Sequence, residues 1–290
     1  MKLICYVGPI LSNLGGESAV RHICEAGFDG IDWSFNREFG ENCPWMRSNW
    51  KEYAQMLLDT AAEYGIPFRQ GHAYAPSSTG DPEKDAEIKG YMIRTIEACG
   101  MMGIKDLVIH PLQHLPYNTN RQELFDLSVA FYKELLPYAE KHKVVLCTEN
   151  MYQYDKRRKV VIESVCARPE EFCAMIDAVD SPWLKGCFDI GHAPLVSQDP
   201  AYMIHALGKD RLVALHVHDV DLIGDTHTLP FVGRVKWDEV TDALAAIGYA
   251  GDFTYEIGGW FNSFPPALWP DALRLAERTG RYLIEQIENA

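Results

Sequence analysis

The sequence predicts a single-domain α/β protein, a (β/α)8 TIM barrel spanning residues 1–290. Three observations predict it. Apolar runs of strand length alternate with longer segments of helical period, and the alternation occurs eight times along the chain. Eight strand-helix repeats imply a parallel sheet that closes on itself. No G-x-G-x-x-G follows the first run to favour an open doubly wound sheet.

The expected strands lie near 3–8, 29–35, 67–73, 106–110, 144–149, 184–189, 212–217 and 253–257, each a short apolar run. Helical periodicity follows near 17–27, 49–65, 83–102, 121–142, 168–179, 199–208, 237–248 and 270–288. Gly27, Gly65, Gly103 and Gly248 stand just past periodic segments, where a helix C-cap favours a left-handed residue. Asn120 and Asp199 stand ahead of others as candidate N-caps. The long strand-to-helix connections, 36–48, 74–82, 150–167 and 218–236, fall on the side where a barrel carries its active site, as candidate substrate walls and lids.

Composition limits the partners. The chain is 47% hydrophobic and 23% charged, which suits a globular protein with a sizeable core rather than disorder. A formal charge of -14 argues against a broad basic surface for nucleic acid and favours small-molecule substrates. The eight cysteines are scattered with no C-x-x-C pair, as expected of free thiols in a reducing cytoplasm. The N-terminus opens on a strand-like run, and no apolar run approaches the roughly 20 residues that span a bilayer. Neither export nor membrane anchoring is expected.

Four strands of the C-terminal half end on metal-seeking side chains: Glu149 in VVLCTEN, Asp189 in LKGCFDIGH, His216 in LVALHVHD and Glu256 in FTYEI. A barrel brings the ends of these strands around one axial cavity, and mixed carboxylate and imidazole donors suit Mn²⁺, Mg²⁺, Co²⁺ or Zn²⁺. A lone acid after a strand is commonly a helix cap, but four at successive strand ends point to a metal. His72 ends FRQGHAY, His110 ends LVIHP, His192 follows Asp189 by three, and His218, Asp219, Asp221, Asp225 and His227 follow the seventh strand. These groups can bind further metals, or hold substrate hydroxyls and orient the ligands; the second is expected, because they outnumber what one metal needs. Trp33, Phe35, Trp45, Tyr152 and Trp260 are candidate aromatic walls or ordinary packing. Arg69, Arg121, Arg234 and Lys236 are candidate phosphate contacts.

The motifs E-N after strand five, F-D-I-G-H-A, H-V-H-D, D-T-H-T-L-P-F-V-G-R-V-K-W and Y-A-G-D-F-T-Y-E-I resemble those of the xylose-isomerase-like TIM barrel superfamily. That grouping holds sugar and sugar-phosphate isomerases, ketose 3-epimerases, inosose and dehydroshikimate dehydratases and the endonuclease IV enzymes. The resemblance implies one divalent metal, Mn²⁺ first among the candidates, on Glu149, Asp189, His216 and Glu256. It implies that Glu149 and Glu256 are also the catalytic acid/base pair on opposite faces of the substrate carbon, working through a metal-stabilised enediolate. Substrate contacts are expected from His192 with His72, His110, His218, Asp225, His227 and Trp33. The implied function is a metal-dependent isomerase or epimerase of a carbohydrate or cyclitol, phosphorylated or not. A homo-oligomer is expected, and a different partner subunit is also compatible.

The chain departs from the ketose epimerases in offering Asp155 where a further glutamate is usual, and in lacking an arginine soon after His216. A lyase on the same barrel, of the inosose-dehydratase or C-glycoside-deglycosidase kind, is the alternative. His72, His110, Asp225 and His227 also match the three-zinc pattern of endonuclease IV, but its H-L-N-D segment and basic loops are not recognisable. A non-catalytic sugar-binding barrel is disfavoured, since no ligand is missing.

Overall fold

The computed structural model describes residues 1–38, 40 and 43–290. In chain order, β1 (Leu3–Tyr6), α1 (Gly8–Leu14), α2 (Gly16–Ala26), β2 (Gly30–Ser34), α3 (Trp50–Ala62), β3 (Phe68–His72), α4 (Pro82–Met102), β4 (Asp106–Val108) and α5 (Tyr117–His142) build the first half. The second half is β5 (Val145–Glu149), β6 (Tyr152–Asp155), β7 (Val160–Glu163), α6 (Pro169–Val179), β8 (Leu184–Asp189), α7 (His192–Leu195), α8 (Pro200–Arg211), β9 (Leu212–His216), α9 (Trp237–Ala246), β10 (Phe253–Tyr255), α10 (Gly258–Asn262) and α11 (Trp269–Asn289).

Eight strands pair in parallel in the order β10-β1-β2-β3-β4-β5-β8-β9. The ring closes just past β9, where Val217 N–H donates to the Thr254 carbonyl at 2.8 Å and Glu256 N–H donates to the Val217 carbonyl at 3.1 Å. This is a (β/α)8 TIM barrel, and all eight expected strands and eight expected helices are present. Gly103 closes α4 at φ 74°, and the Asp199 side chain caps α8 by accepting from Tyr202 N–H. Asn120 does not precede its helix: α5 begins at Tyr117, and Asn120 sits at a kink inside it with φ -130° and ψ 27°. Unforeseen additions are α1, α7, α10 and the antiparallel β6–β7 hairpin carried by the connection after β5.

Side chains alternate along a strand, so residues two apart share a face. The inward face carries a small apolar layer of Val108, Cys147, Cys187 and Ala214 on β4, β5, β8 and β9. Across the barrel, Gln70 joins Asp32 and Thr254 through side-chain hydrogen bonds of 3.4 and 3.2 Å. Two residues beyond this floor, on the same strands, stand His72, His110, Glu149, Asp189, His216 and Glu256. The period of the pleat thus raises one ring of titratable groups directly above the plug. Outward residues such as Leu3, Ile31, Leu107, Leu146 and Leu215 enter the main core beneath the helices. Each such side chain, fully buried, contributes about 2 kcal/mol, and the summed burial fixes the register that aims the ring.

Candidate metal centre and active site

Ligand atoms of Glu149, Asp189, His216 and Glu256 all lie within 4.8 Å of one another. His216 Nδ1 sits 3.1 Å from Glu149 Oε1, 3.2 Å from Glu256 Oε2 and 4.0 Å from Asp189 Oδ2. Glu149, Asp189 and His216 are fully buried, and Glu256 is 9% exposed. Burial opposes ionisation of Glu149, but His216 and His110 outweigh it and hold its carboxyl well below the usual carboxylate range. Burial likewise opposes the charge on Asp189, and His192 and His218 hold its pKa down. Burial works against the His216 imidazolium, yet Cys187, Glu256 and Glu149 raise its pKa well above the ordinary value. Three carboxylates buried around one imidazole form a cluster whose like charges repel at low dielectric. Its donor types and spacing fit a divalent cation.

Asn150, the residue after Glu149, locks Asp189 in place. Its Nδ2 donates to the Asp189 carbonyl and its Oδ1 accepts from Asp189 N–H, both at 2.8 Å. Its own carbonyl accepts from His192 Nδ1 at 2.9 Å. Asp189 Oδ1 in turn accepts from His192 N–H at 2.8 Å, and His218 Nε2 lies 2.9 Å from the same oxygen. Gly191 makes room for that ring, since a Cβ there would stand 2.1 Å from His218 Cε1.

A second cluster of His192, His218, Asp225 and His227 adjoins the first. His227 Nδ1 donates to the Glu256 carbonyl and its Nε2 to Asp225 Oδ2, both at 2.8 Å. Both ring nitrogens therefore meet acceptors. Burial opposes its charge, but Glu256 and Asp225 prevail, and the His227 pKa rises to about 9. Tyr152 donates to Asp225 Oδ2 at 3.0 Å, while Asp225 Oδ1 is buried without a hydrogen-bond partner among the described residues. On the other flank, His110 Nε2 lies 3.1 Å from both His72 Nε2 and Glu149 Oε2. His72 Nδ1 donates to the Ala73 carbonyl, and burial, with the neighbouring His110, lowers its pKa to about 4. His72 is thus a neutral acceptor.

Over this ring opens a cavity of about 580 Å³. Glu149, Glu256, His72, His110, His192, Asp225 and His227 line it. All four long connections contribute: Asn36 and Arg37, Ala75 and Pro76, Met151 and Tyr152, and Asp225 to His227. Within the connection 36–48, residues 39, 41 and 42 lie outside the described residues.

Two residues expected as substrate contacts do not line this cavity. Trp33 is one residue out of phase with inward-facing Asp32 and Ser34, so it points away from the barrel axis. It is fully buried against Phe68 and Trp45, with Nε1 donating to Glu38 at 3.2 Å. His218 is inward but fully buried against Asp189 and stacked on His227 at 4.0 Å, beneath the cavity rather than on its wall. Phe35 and Trp45 belong to the packing around Trp33, and Trp260 donates to the Ala272 carbonyl. Asp219 is a fastener: its buried carboxylate accepts from Phe231 N–H, Val235 N–H and Trp237 Nε1. Asp155 shapes the hairpin turn by accepting from Arg157 and Arg158 N–H. Arg69 pairs with Asp252, Arg121 lies over the Tyr117 ring, and Arg234 and Lys236 line a separate cavity of about 310 Å³. None of these four cations lines the main cavity; Arg37 does.

Residues 20–279 match the family model of the xylose isomerase-like TIM barrel. The chain belongs to this family. Within the xylose isomerase-like TIM barrels, it is 34% identical over 85 residues to a protein of Sinorhizobium fredii, a stretch covering 29% of this chain and 27% of that relative. A match to a protein of Methanocaldococcus jannaschii, 27% identical over 165 residues, covers 56% of this chain and 53% of the relative. The chain therefore spans about half or less of these two relatives. It is 24% identical over 256 residues to a fructoselysine 3-epimerase of Escherichia coli O157:H7, covering 86% of this chain and 88% of that one. Among solved structures, a D-tagatose 3-epimerase-like protein superposes with a TM-score of 0.78 at 19% identity, covering 100% of this chain and 99% of the other. The IOLI protein, solved with a binding zinc atom, superposes with a TM-score of 0.72 at 19% identity, covering 100% and 99%. No helix among the described residues is long and apolar enough to cross a membrane.

Proposed function

We propose that this barrel is a divalent-cation-dependent isomerase or epimerase of a sugar or sugar phosphate. One observation carries the reading: Glu149 and Glu256 face each other across His216 on the cavity floor, with Asp189 completing a set of oxygen and nitrogen donors. A cation bound there, Mn²⁺ first among the candidates, supplies Lewis acidity toward a substrate carbonyl. Glu149 and Glu256 are the catalytic pair, one taking the proton from the carbon beside the carbonyl and the other returning it. Asp225, His192, His72 and His110 line the cavity where sugar hydroxyls would sit. The tight buried network beneath keeps these groups in place while substrate binds. Relatives whose names describe epimerases support the reading. Eight free thiols, seven of them buried, support a reducing cytoplasm as the place of work.

A lyase outcome on the same floor is the second reading: His227, whose pKa rises to about 9, keeps a proton hydrogen-bonded to Asp225 Oδ2 at the cavity wall, and a departing oxygen would receive it by replacing Asp225 as the acceptor. The deciding experiment incubates metal-stripped and Mn²⁺-reloaded protein in D₂O with pooled 2-ketoses, inososes and glycosides. Cation-dependent deuterium uptake at carbon with a rearranged product, abolished in Glu149→Gln, is expected. Exchange followed by loss of a substituent selects the lyase, and full turnover by Glu149→Gln overturns the assignment.

A further inference from the structure

The cavity is electrically two-sided. One wall and the floor carry Glu149, Asp225 and Glu256, the groups that handle cation and proton. The rim at the ends of β1 and β2 carries Tyr6, Asn36 and Arg37, with Tyr6 beside Glu256 because β1 pairs with β10 in the register Cys5↔Tyr255. Among the described residues lining the cavity, Arg37 is the one arginine and no lysine is present. The Arg37 guanidinium interacts with the buried Tyr6 hydroxyl, which also shares a 2.7 Å hydrogen bond with Ser34 Oγ. Arg37 itself is exposed where it lines the cavity. No carboxylate among the described residues lies within 4.0 Å of it to neutralise it, whereas Arg21, Arg69, Arg158, Arg168, Arg211 and Arg281 all have such partners.

An arginine at the rim of an acid-rich cavity, with no carboxylate partner among the described residues, offers five donors in a planar fork matched to carboxylate or phosphate. A neutral monosaccharide has no use for that charge, and about 580 Å³ is more room than a bare monosaccharide fills. We infer that the substrate is a sugar bearing an anionic substituent, carboxylate or phosphate, held by Arg37 with Asn36 at the exposed rim of the cavity. The inference rests on the isomerase reading for where the reacting carbon lies. Arg37 is a specificity-determining residue that touches the substituent and takes no part in proton transfer.

The test measures equilibrium binding and deuterium exchange separately. Mn²⁺-loaded wild type and Arg37→Met are titrated with the four D-2-ketohexoses, their 6-phosphates and their 6-carboxylates. At least one anionic series is expected to bind about tenfold or more tightly than its neutral parents. Arg37→Met is expected to remove that preference while leaving affinity for the neutral sugars and Mn²⁺ unchanged. Whether phosphates or carboxylates gain more identifies the substituent. Equal binding of neutral and anionic forms, absence of saturable binding by either anionic series, or a preference that survives in Arg37→Met overturns the inference. Failure of the isomerase reading is distinct: an Arg37-dependent binding preference with no deuterium exchange on any sugar.

Discussion

Asn150→Ala removes the bracket that joins β5 to β8 directly under the candidate metal centre. The wild-type side chain makes two hydrogen bonds of 2.8 Å to the backbone of Asp189, one as donor and one as acceptor, and is almost wholly buried. Truncation leaves the Asp189 carbonyl and N–H without those partners in a dry site, at about 1–3 kcal/mol for each orphaned group. The expected loss of stability is therefore about 4 kcal/mol, with little change in the denaturant slope, because the surface exposed on unfolding is the same. Asp189 also loses the restraint that aims its carboxylate, and second-layer changes of this kind weaken metal binding by about 10- to 100-fold. Urea unfolding in EDTA isolates the first effect from cation binding, and a competition titration with Mn²⁺ measures the second. A loss below about 1 kcal/mol together with unchanged Mn²⁺ affinity would refute the bracket.

Three further predictions follow from the same geometry. His216 must release its raised proton to become a ligand, so Mn²⁺ affinity rises with pH through neutrality and binding expels protons, which titration in buffers of different ionisation enthalpy detects. At the opposite end of the barrel, burial and nearby Asp252 raise the Asp106 pKa to about 7, against about 4 in the unfolded chain. The folded state then holds the extra proton, so this group's contribution to stability falls as pH rises from about 4 to about 7; Asp106→Asn removes that fall and gains on wild type at pH 8 relative to pH 4 in urea titrations. Gly259 admits the loop that carries Asp225 and His227, because a Cβ there would stand 1.9 Å from the Thr226 carbonyl oxygen. Gly259→Ala is expected to displace that segment, lowering urea stability and cutting deuterium exchange about 100-fold; undiminished exchange would contradict it.

The barrel was legible because its signals are local and repeated. Strand-length runs, helical periods and glycine caps need no knowledge of long-range packing, and every one of the eight units appears in the fold. The four candidate ligands were legible for the same reason: strand ends converge in any barrel. Direction was harder. Trp33 stands at a strand end, but the pleat sends it outward while Asp32 and Ser34 face in, and counting by twos from the floor would have revealed this. His218 obeys that count yet is covered, because the loop carrying His227 folds back over it. Asn150 and Arg37 were missed as individual residues, although E-N stood in the motif and Arg37 lay in a connection marked as a substrate wall. Their roles depend on a neighbouring strand and on Tyr6, which only the folded register brings within reach.

Elemental analysis of the purified, dialysed protein beside its His216→Gln variant tests the central claim most directly. The account predicts about one divalent ion per wild-type chain, held through dialysis, and near-complete loss in the variant with the fold intact by circular dichroism. A wild-type protein that retains no divalent ion when Mn²⁺, Co²⁺, Mg²⁺ or Zn²⁺ is supplied, or a variant that retains as much as wild type, would contradict it.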